Sequence, residues 1–318
     1  MEIGVVGAGK MGGNMARRWQ RAGADVSVFD RSETALAELA AIRGVNTFST
    51  LAALAGALRP PRLLWLMLPT GTPTEQTIGE LLMLLAPGDL VVDGANAHYR
   101  DSQRHAELLA ERDVAFVDAG VSGGIWGRDN GYGLMLGGDP SAIERVTPLV
   151  RMLAPAPDKG WVHCGPVGGG HFAKMVHNGI EYGLMQAYAE GFSLLAARPD
   201  LALPLADIAE AWCHGTVIRS WLLELTADVL KDRTALSSSA AEVADSGEGR
   251  WTAQEAIDLG IPTPVISAAL MSRFSSQGSG DFAARLLAML RNAFGGHAIP
   301  KDQAARPAVK PPGQHPDR

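Results

Sequence analysis

The feature that most constrains this chain is a glycine cluster, Gly7-Ala8-Gly9-Lys10-Met11-Gly12, placed directly after the apolar run of residues 3–6 and opening a helical pattern. A strand that must turn at once into a helix has few conformations open to it. The first glycine permits the tight turn, the second lets backbone approach a ligand, and the third lets helix and strand pack closely. The amides of the helix N-terminus then favour an anion such as a pyrophosphate. Such a motif is weak alone. Its placement in a strand–turn–helix–strand unit adds weight, and the second strand of that unit, residues 25–29, ends at Asp30. An acidic residue there, about 20 residues past the glycines, can accept hydrogen bonds from ribose hydroxyls and would repel a 2′-phosphate. Arg31 works the other way, because a guanidinium binds that phosphate. The alternative is that Asp30 only caps the next helix. The residues therefore point to a dinucleotide site that prefers NAD and accepts NADP as second choice.

Beyond this unit, apolar runs at 3–6, 25–29, 63–68, 90–93, 115–118 and 134–137 alternate with helical stretches at 11–22, 32–41, 74–85 and 100–111. That alternation predicts an α/β Rossmann domain, a doubly wound and mostly parallel sheet covered on both faces. From about residue 171 the texture changes to helical stretches at 172–196, 204–213, 218–231, 253–260, 264–275 and 281–294. We expect a dinucleotide-binding domain over 1–168 and an all-helical substrate and oligomerisation domain over 169–298. The glycine-rich run 165–170 would join them, and a Pro-, Ala- and Lys-rich disordered tail would fill 299–318.

At 318 residues the chain has room for two domains of the usual ~150 residues. With 47% hydrophobic and 19% charged residues it can bury a large core, which excludes global disorder. The net charge of −6 gives no reason to expect nucleic acid or an anionic membrane as partner. An anionic substrate would need a local cluster of cations. Two cysteines, Cys164 and Cys213, make neither a disulfide framework nor a zinc site, so no metal is expected and a reducing cytoplasm fits. A strand that starts at residue 3 leaves no room for a signal peptide. Runs such as 63–68 and 81–86 fall far short of the ~20 apolar residues of a membrane span.

The most informative stretch runs from Gly169 to Tyr182. At about 100° per residue on a helix, Lys174, His177, Asn178 and Glu181 fall within a face about 100° wide, with Tyr182 at its edge. An amine, an imidazole, an amide and a carboxylate thus stand side by side. A solvated polar face is the plain reading. Against it, the flanks Phe172, Met175, Val176 and Ile180 are apolar, and Gly179 and Gly183 weaken a helix unless something must come close. A lysine in a water-poor pocket can accept a proton near neutral pH, and a buried glutamic acid can donate one. Such a pair suits a reaction with proton transfers at two carbons.

This stretch closely resembles the 6-phosphogluconate dehydrogenase family, within the wider β-hydroxyacid dehydrogenases. So do Asp93-Gly94-Ala95-Asn96-Ala97, Asp118-Ala119-Gly120-Val121-Ser122-Gly123-Gly124, Ile218-Arg219-Ser220, Gly249-Arg250-Trp251-Thr252 and the segment from Arg291 to His297. The chain is similar to the short bacterial type. The resemblance implies oxidative decarboxylation of 6-phosphogluconate to ribulose 5-phosphate with reduction of NAD(P). Lys174 would be the general base and then the acid, and Glu181 would protonate the enediol. Asn96, Ser122, Gly123, Gly124, His177 and Asn178 would hold the carboxylate and hydroxyls. Tyr182, Arg219, Arg250, Thr252, Arg291 and His297 would hold the phosphate, the last two from a segment that in the family reaches into a neighbouring subunit. The cofactor set would comprise Gly7, Ala8, Gly9, Lys10, Met11, Gly12, Asp30, Arg31, Leu68, Pro69 and Asn96, and the chain would form a homodimer or homotetramer. Asp30-Arg31-Ser32 stands where NADP-specific members carry Asn-Arg-Thr, which favours NAD. Ala95 and Ala97 replace a glycine and a serine, and Arg250 replaces a lysine.

Two rivals remain at this point. A β-hydroxyacid dehydrogenase for an unphosphorylated acid such as 3-hydroxyisobutyrate would keep Lys174 and the Ser122-Gly123-Gly124 loop but would not need Arg219, Arg250 and Arg291 together. A nicotinamide-binding sensor without turnover would not need Lys174 and Glu181.

Overall fold

The structure, a computed structural model, describes residues 1–295 and 298, and the chain divides into two compact units, Met1–His177 and Asn178–Arg318. In chain order the first unit holds β1 (Glu2–Val6), α1 (Lys10–Arg21), β2 (Asp25–Phe29), α2 (Glu33–Ala40), β3 (Val45–Phe48), α3 (Leu51–Ala57), β4 (Leu63–Leu66) and α4 (Thr72–Leu84). Then follow β5 (Leu90–Asp93), α5 (Tyr99–Ala110), β6 (Ala115–Ser122), α6 (Gly127–Asn130), β7 (Gly133–Gly138), α7 (Pro140–Leu153) and β8 (Trp161–Gly165), and the unit closes with the first turns of α8 (Gly169–Ala196). The strands form one sheet in the order β3-β2-β1-β4-β5-β6-β7-β8. Every neighbouring pair is parallel except β6 with β7. The order reverses between β1 and β4, which opens a crevice at the carboxyl ends of those strands.

The sequence pattern explains the sheet. Residues 3–6 of β1, 63–66 of β4 and 90–92 of β5 form unbroken apolar runs because both faces are covered. One face packs Ile3, Val5, Trp65 and Val92 against Met15, Trp19 and Val146 of α1 and α7. The other packs Val6, Leu64, Leu66 and Val91 against Leu54, Ile78, Leu81 and Leu109 of α3, α4 and α5. Each fully buried side chain of this kind contributes about 1.5–3 kcal/mol. Buried Trp19 also donates its indole N–H to the Leu149 carbonyl at 2.9 Å.

Two strands and three helices of this unit, the four-residue α6 among them, go beyond the sequence expectation. Strands β3 and β8 are half-exposed edge strands, so they lack the apolar run that marks the central ones. Helix α3 has only seven residues, and α7 carries Pro148 in its interior, a residue that normally argues against a helix. Strand β4 stops at Leu66, which leaves Leu68 and Pro69 in the following loop rather than in the strand. Strand β6 continues past 118 to Ser122 because β7 returns alongside it.

The second unit continues α8 and adds α9 (Leu205–Cys213), α10 (Trp221–Lys231), α11 (Arg233–Ser238), α12 (Glu248–Asp258), α13 (Pro264–Ser276) and α14 (Asp281–Gly295); no strand occurs among its described residues. Helix α10 starts at 221 rather than 218, because the Ser220 hydroxyl caps it by accepting from Leu223 N at 3.1 Å. Helix α12 starts at 248 rather than 253. Its Gly249 hid the helix in the sequence, and the glycine is there because the Tyr182 ring lies where a Cβ would point. His297 and the segment 299–318 lie outside the described residues. Among the described residues no helix is long and apolar enough to cross a membrane, and no group of three or more His, Cys, Asp and Glu could hold a metal ion.

Candidate active site

The glycine turn has the geometry that its spacing suggests. Gly7 adopts φ +103, and a Cβ there would run into the Met67 backbone carbonyl. A Cβ on Gly12 would overlap the Gly7 carbonyl oxygen, so the third glycine is what allows α1 to lie against the turn. Gly9 faces open space and stands at the N-cap of α1, where no side chain caps the helix. Backbone amides at that end are therefore available to an outside acceptor, and a pyrophosphate fits them.

Asp30 ties this turn to the end of β2. Its Oδ2 accepts from Ala8 N at 2.6 Å and its Oδ1 from Ser32 N at 2.7 Å. It does not cap α2; the Ser32 hydroxyl does, accepting from Ala35 N at 3.3 Å. A carboxylate has about four lone-pair sites, so two remain for ribose hydroxyls. Arg31 is exposed beside it, as is Lys10 at the start of α1, while Met11 is half-buried. Leu68 and Pro69 follow β4, and Asn96 follows β5 with its side chain exposed. The named cofactor residues thus collect at the carboxyl ends of β1, β2, β4 and β5, where ligands bind in open α/β sheets.

The same edge carries the start of α8. Buried Asp118 on β6 accepts from Gly168 N at 2.6 Å and from His171 N at 2.7 Å. Burial pushes its carboxyl above the ordinary aspartate value, and the facing His171 and these amides pull it back. Two residues along the strand, a Cβ on Gly120 would strike the Lys174 Cβ. Lys174 is 8% exposed, and its Nζ lies 3.4 Å from His177 Nδ1. Half-buried Ser122 ends β6, and the chain turns through Gly123 (φ +126) and Gly124 (φ +52). Arg18 of α1 straps down α6, which follows that loop, and the end of α7: its guanidinium donates to the carbonyls of Arg128 and Asp129 at 3.3 Å, of Met152 at 3.2 Å and of Ala154 at 2.8 Å.

In the second unit α8 carries Asn178, Glu181 and Tyr182, with Glu181 two helical turns beyond Lys174 on the same helix. Gly179 allows α12 to approach, its Cβ position lying 2.8 Å from Thr252 Cγ2, and Gly183 faces Val265 on α13. The glycines thus admit a chain segment. Tyr182 is buried; its hydroxyl lies 3.3 Å from the Ser246 hydroxyl, and Arg273 stacks over its ring at 3.4 Å. Thr252 donates to the Glu248 carbonyl at 2.8 Å. Arg250 is paired to the Asp245 carboxylate through Nε and Nη2, and its guanidinium covers Phe274 at 4.9 Å. Tyr182, Arg250 and Thr252 therefore share one neighbourhood. Arg219 lies exposed in the turn before α10, and Arg291 lies exposed on α14.

Two residues escaped the sequence reading. Arg273 left no signal, since nothing in its helix marks it as Tyr182's neighbour. The anchoring role of Asp118 left a faint one: 118, 120 and 122 alternate onto one face of a strand, beside the glycine run 168–170.

Fold and site together define a dehydrogenase that binds a nicotinamide dinucleotide on a doubly wound sheet and carries a buried lysine on the helix that follows it. Residues 2–165 match the family described as the NAD binding domain of 6-phosphogluconate dehydrogenase, and residues 170–301 match the 6-phosphogluconate dehydrogenase C-terminal domain. The chain belongs to the 6-phosphogluconate dehydrogenase family. It is 41% identical over 301 residues to the NAD(+)-dependent, decarboxylating 6-phosphogluconate dehydrogenase of Haloferax volcanii, covering 94% of this chain and 98% of that protein. Among solved structures, the Plasmodium falciparum 6-phosphogluconate dehydrogenase aligns with a TM-score of 0.80 at 28% identity, over 95% of this chain and 67% of that one. A Salmonella typhimurium 3-hydroxyisobutyrate dehydrogenase aligns with a TM-score of 0.72 at 24% identity, over 88% of this chain and 95% of that one, a likeness of fold alone.

Proposed function

We propose that the chain oxidises and decarboxylates 6-phosphogluconate to ribulose 5-phosphate and carbon dioxide, with NAD as preferred acceptor. The observation that carries this reading is Lys174, buried at the end of the sheet on the helix that bears Glu181, in a chain 41% identical to a decarboxylating enzyme of that specificity. The bound nicotinamide supplies a hydride acceptor. Gly7, Ala8, Gly9, Lys10, Met11 and Gly12 would hold the pyrophosphate, Asp30 and Arg31 the ribose end, and Leu68, Pro69 and Asn96 the nicotinamide end.

Lys174 takes the proton of the 3-hydroxyl as its carbon gives up a hydride to that acceptor, the work of a buried general base. The β-keto acid then loses carbon dioxide as charge moves onto the ketone oxygen, and the Lys174 ammonium stabilises that oxygen. Glu181 delivers the proton to the first carbon of the enediol. Ser122, Gly123, Gly124, His177 and Asn178 orient the carboxylate and hydroxyls. Tyr182, Arg219, Arg250, Thr252, Arg291 and His297 take the phosphate. Arg250 keeps Nη1 for this while Nε and Nη2 stay on Asp245, since a guanidinium has five donors. The enzyme works in the cytoplasm as a dimer or larger. Exposed Phe282, Leu287 and Met289 on α14 give it an apolar face suited to a second copy.

The test is NADH or NADPH formation at equal cofactor concentrations, with 6-phosphogluconate and with unphosphorylated gluconate. Turnover with 6-phosphogluconate and NAD is expected to dominate. Equal rates on both acids would favour the unphosphorylated-acid reading, and no reduction with either cofactor would favour a sensor.

A further inference from the structure

Strand β6 turns alternate residues to one face: Asp118, Gly120 and Ser122. Each meets a different level of the active edge. Asp118, fully buried, accepts through its two carboxylate oxygens from the amide of Gly168, just before α8, and that of His171 in its first turn. Gly120 leaves no room for a Cβ against the Lys174 Cβ and the Gly170 carbonyl. Ser122 opens the loop assigned to substrate. Glycines complete the fit from the other side. A Cβ on Gly170 would lie 2.7 Å from the Asp118 carbonyl, and one on Gly137 would strike the Asp118 carboxylate itself. The helix is thus set down on the strand backbone at van der Waals limit, held at its N-terminus by a single anion.

We propose that this face of β6 is a gauge for the base: Asp118 fixes the axial position of α8 and Gly120 its depth, so that Lys174 stands at the height of Ser122. Both are positioning residues, since neither touches substrate. The proposal rests on reading Lys174 as the base. The physical argument is one of tolerance. Misplacing a reacting group by about 1 Å costs about 10²-fold in rate, and a helix end gripped by two charge-assisted hydrogen bonds cannot slide that far without breaking one. The titratable groups around Asp118 are His171, whose amide it holds, Cys164 on β8, and Lys174 one turn further along α8.

Asp118→Asn keeps shape and volume but turns an NH2 group toward one of the two amides. The expected result is a fall in kcat of roughly 10²-fold, with KM for 6-phosphogluconate and Kd for NADH moving by less than about threefold. Gly120→Ala should lower kcat comparably, because its Cβ would push on the Lys174 Cβ and the Gly170 carbonyl; it carries the test alone if Asp118→Asn does not fold. Fluorescence titration of NADH reports folding in each case. A folded Asp118→Asn or Gly120→Ala enzyme with unchanged kcat overturns the gauge. Lys174→Met, run in parallel, separates the two claims: if it keeps turnover, the assignment of the base fails, whereas an inactive Lys174→Met beside fully active Asp118→Asn and Gly120→Ala sinks the gauge only.

Discussion

In the first unit the central strands are buried on both faces and even charged groups lie deep, Asp89, Asp93 and Asp118 being fully buried. Among the described residues of the second unit the buried clusters hold four residues and three, while Val217, Phe282 and Leu194 stay 99%, 79% and 73% exposed. A mostly parallel sheet leaves its central strands no slack, because each is fixed by two neighbours and two layers of helix. Helices packed on such small clusters leave apolar faces for something else to cover. Chemistry that tolerates little displacement therefore belongs with the sheet. On the proposed assignment, recognition of the phosphate falls to exposed arginines on helices and turns.

That contrast makes claims that can be broken. The largest expected effect is in the sheet unit: Lys174→Met should lower kcat by about 10²–10⁴-fold, the usual worth of a general base, while NADH still binds in a fluorescence titration. In the helical unit, Arg219→Ala should raise KM for 6-phosphogluconate by about tenfold or more, the loss of one charge-assisted hydrogen bond, with kcat little changed in steady-state assays. A reversed pattern, kcat lost at Arg219 and KM at Lys174, would undo the division of labour.

Asp30→Ala sharpens the comparison inside the first unit. It should raise the NADP-to-NAD ratio of kcat/KM, and it should also weaken NAD, because Ala8 N and Ser32 N lose their acceptor. An unchanged ratio would leave Asp30 as a turn brace alone.

The smallest effect is on stability. Arg104 hydrogen-bonds Glu75 through Nη1 at 2.9 Å, and with His105 it draws the carboxyl from the ordinary 4.5 down to about 2. A lowered pKa stabilises the fold above the unfolded value and loses that contribution as pH falls through the folded one. The Tm gap between the wild type and Glu75→Gln should therefore be present at pH 7 and close between pH 4.5 and 2. It should be small, because the pair is well exposed to solvent. A gap that persists at pH 2 would place its origin elsewhere.

Much of the fold was legible in the chain. The central strands announce themselves by unbroken apolar runs. Edge strands β3 and β8 do not, because one side of each meets water and the pattern dissolves. Gly7 and Gly12 could be read because their positions are sterically compulsory. Arg250 could be named as a cation for phosphate, but its pairing with Asp245 could not, nor could the stacking of Arg273 on Tyr182. For Asp30 the alternatives were ribose acceptor or helix cap, and the hydrogen bonds to Ala8 and Ser32 gave a third role, a brace, without removing the first.

What the sequence determined by itself is whatever repeats within a turn or two of chain: the strand–helix alternation, the glycine corner, the lysine and glutamate two turns apart on one helix. Periodicity and the steric freedom of glycine act locally, so they survive in a string of letters. Only the tertiary structure decided that Asp118, fifty residues before Gly168, grips the helix that carries Lys174. Such a grip depends on the register and spacing of segments remote in sequence, and those are fixed by close packing of the whole unit, not by any pattern along the chain.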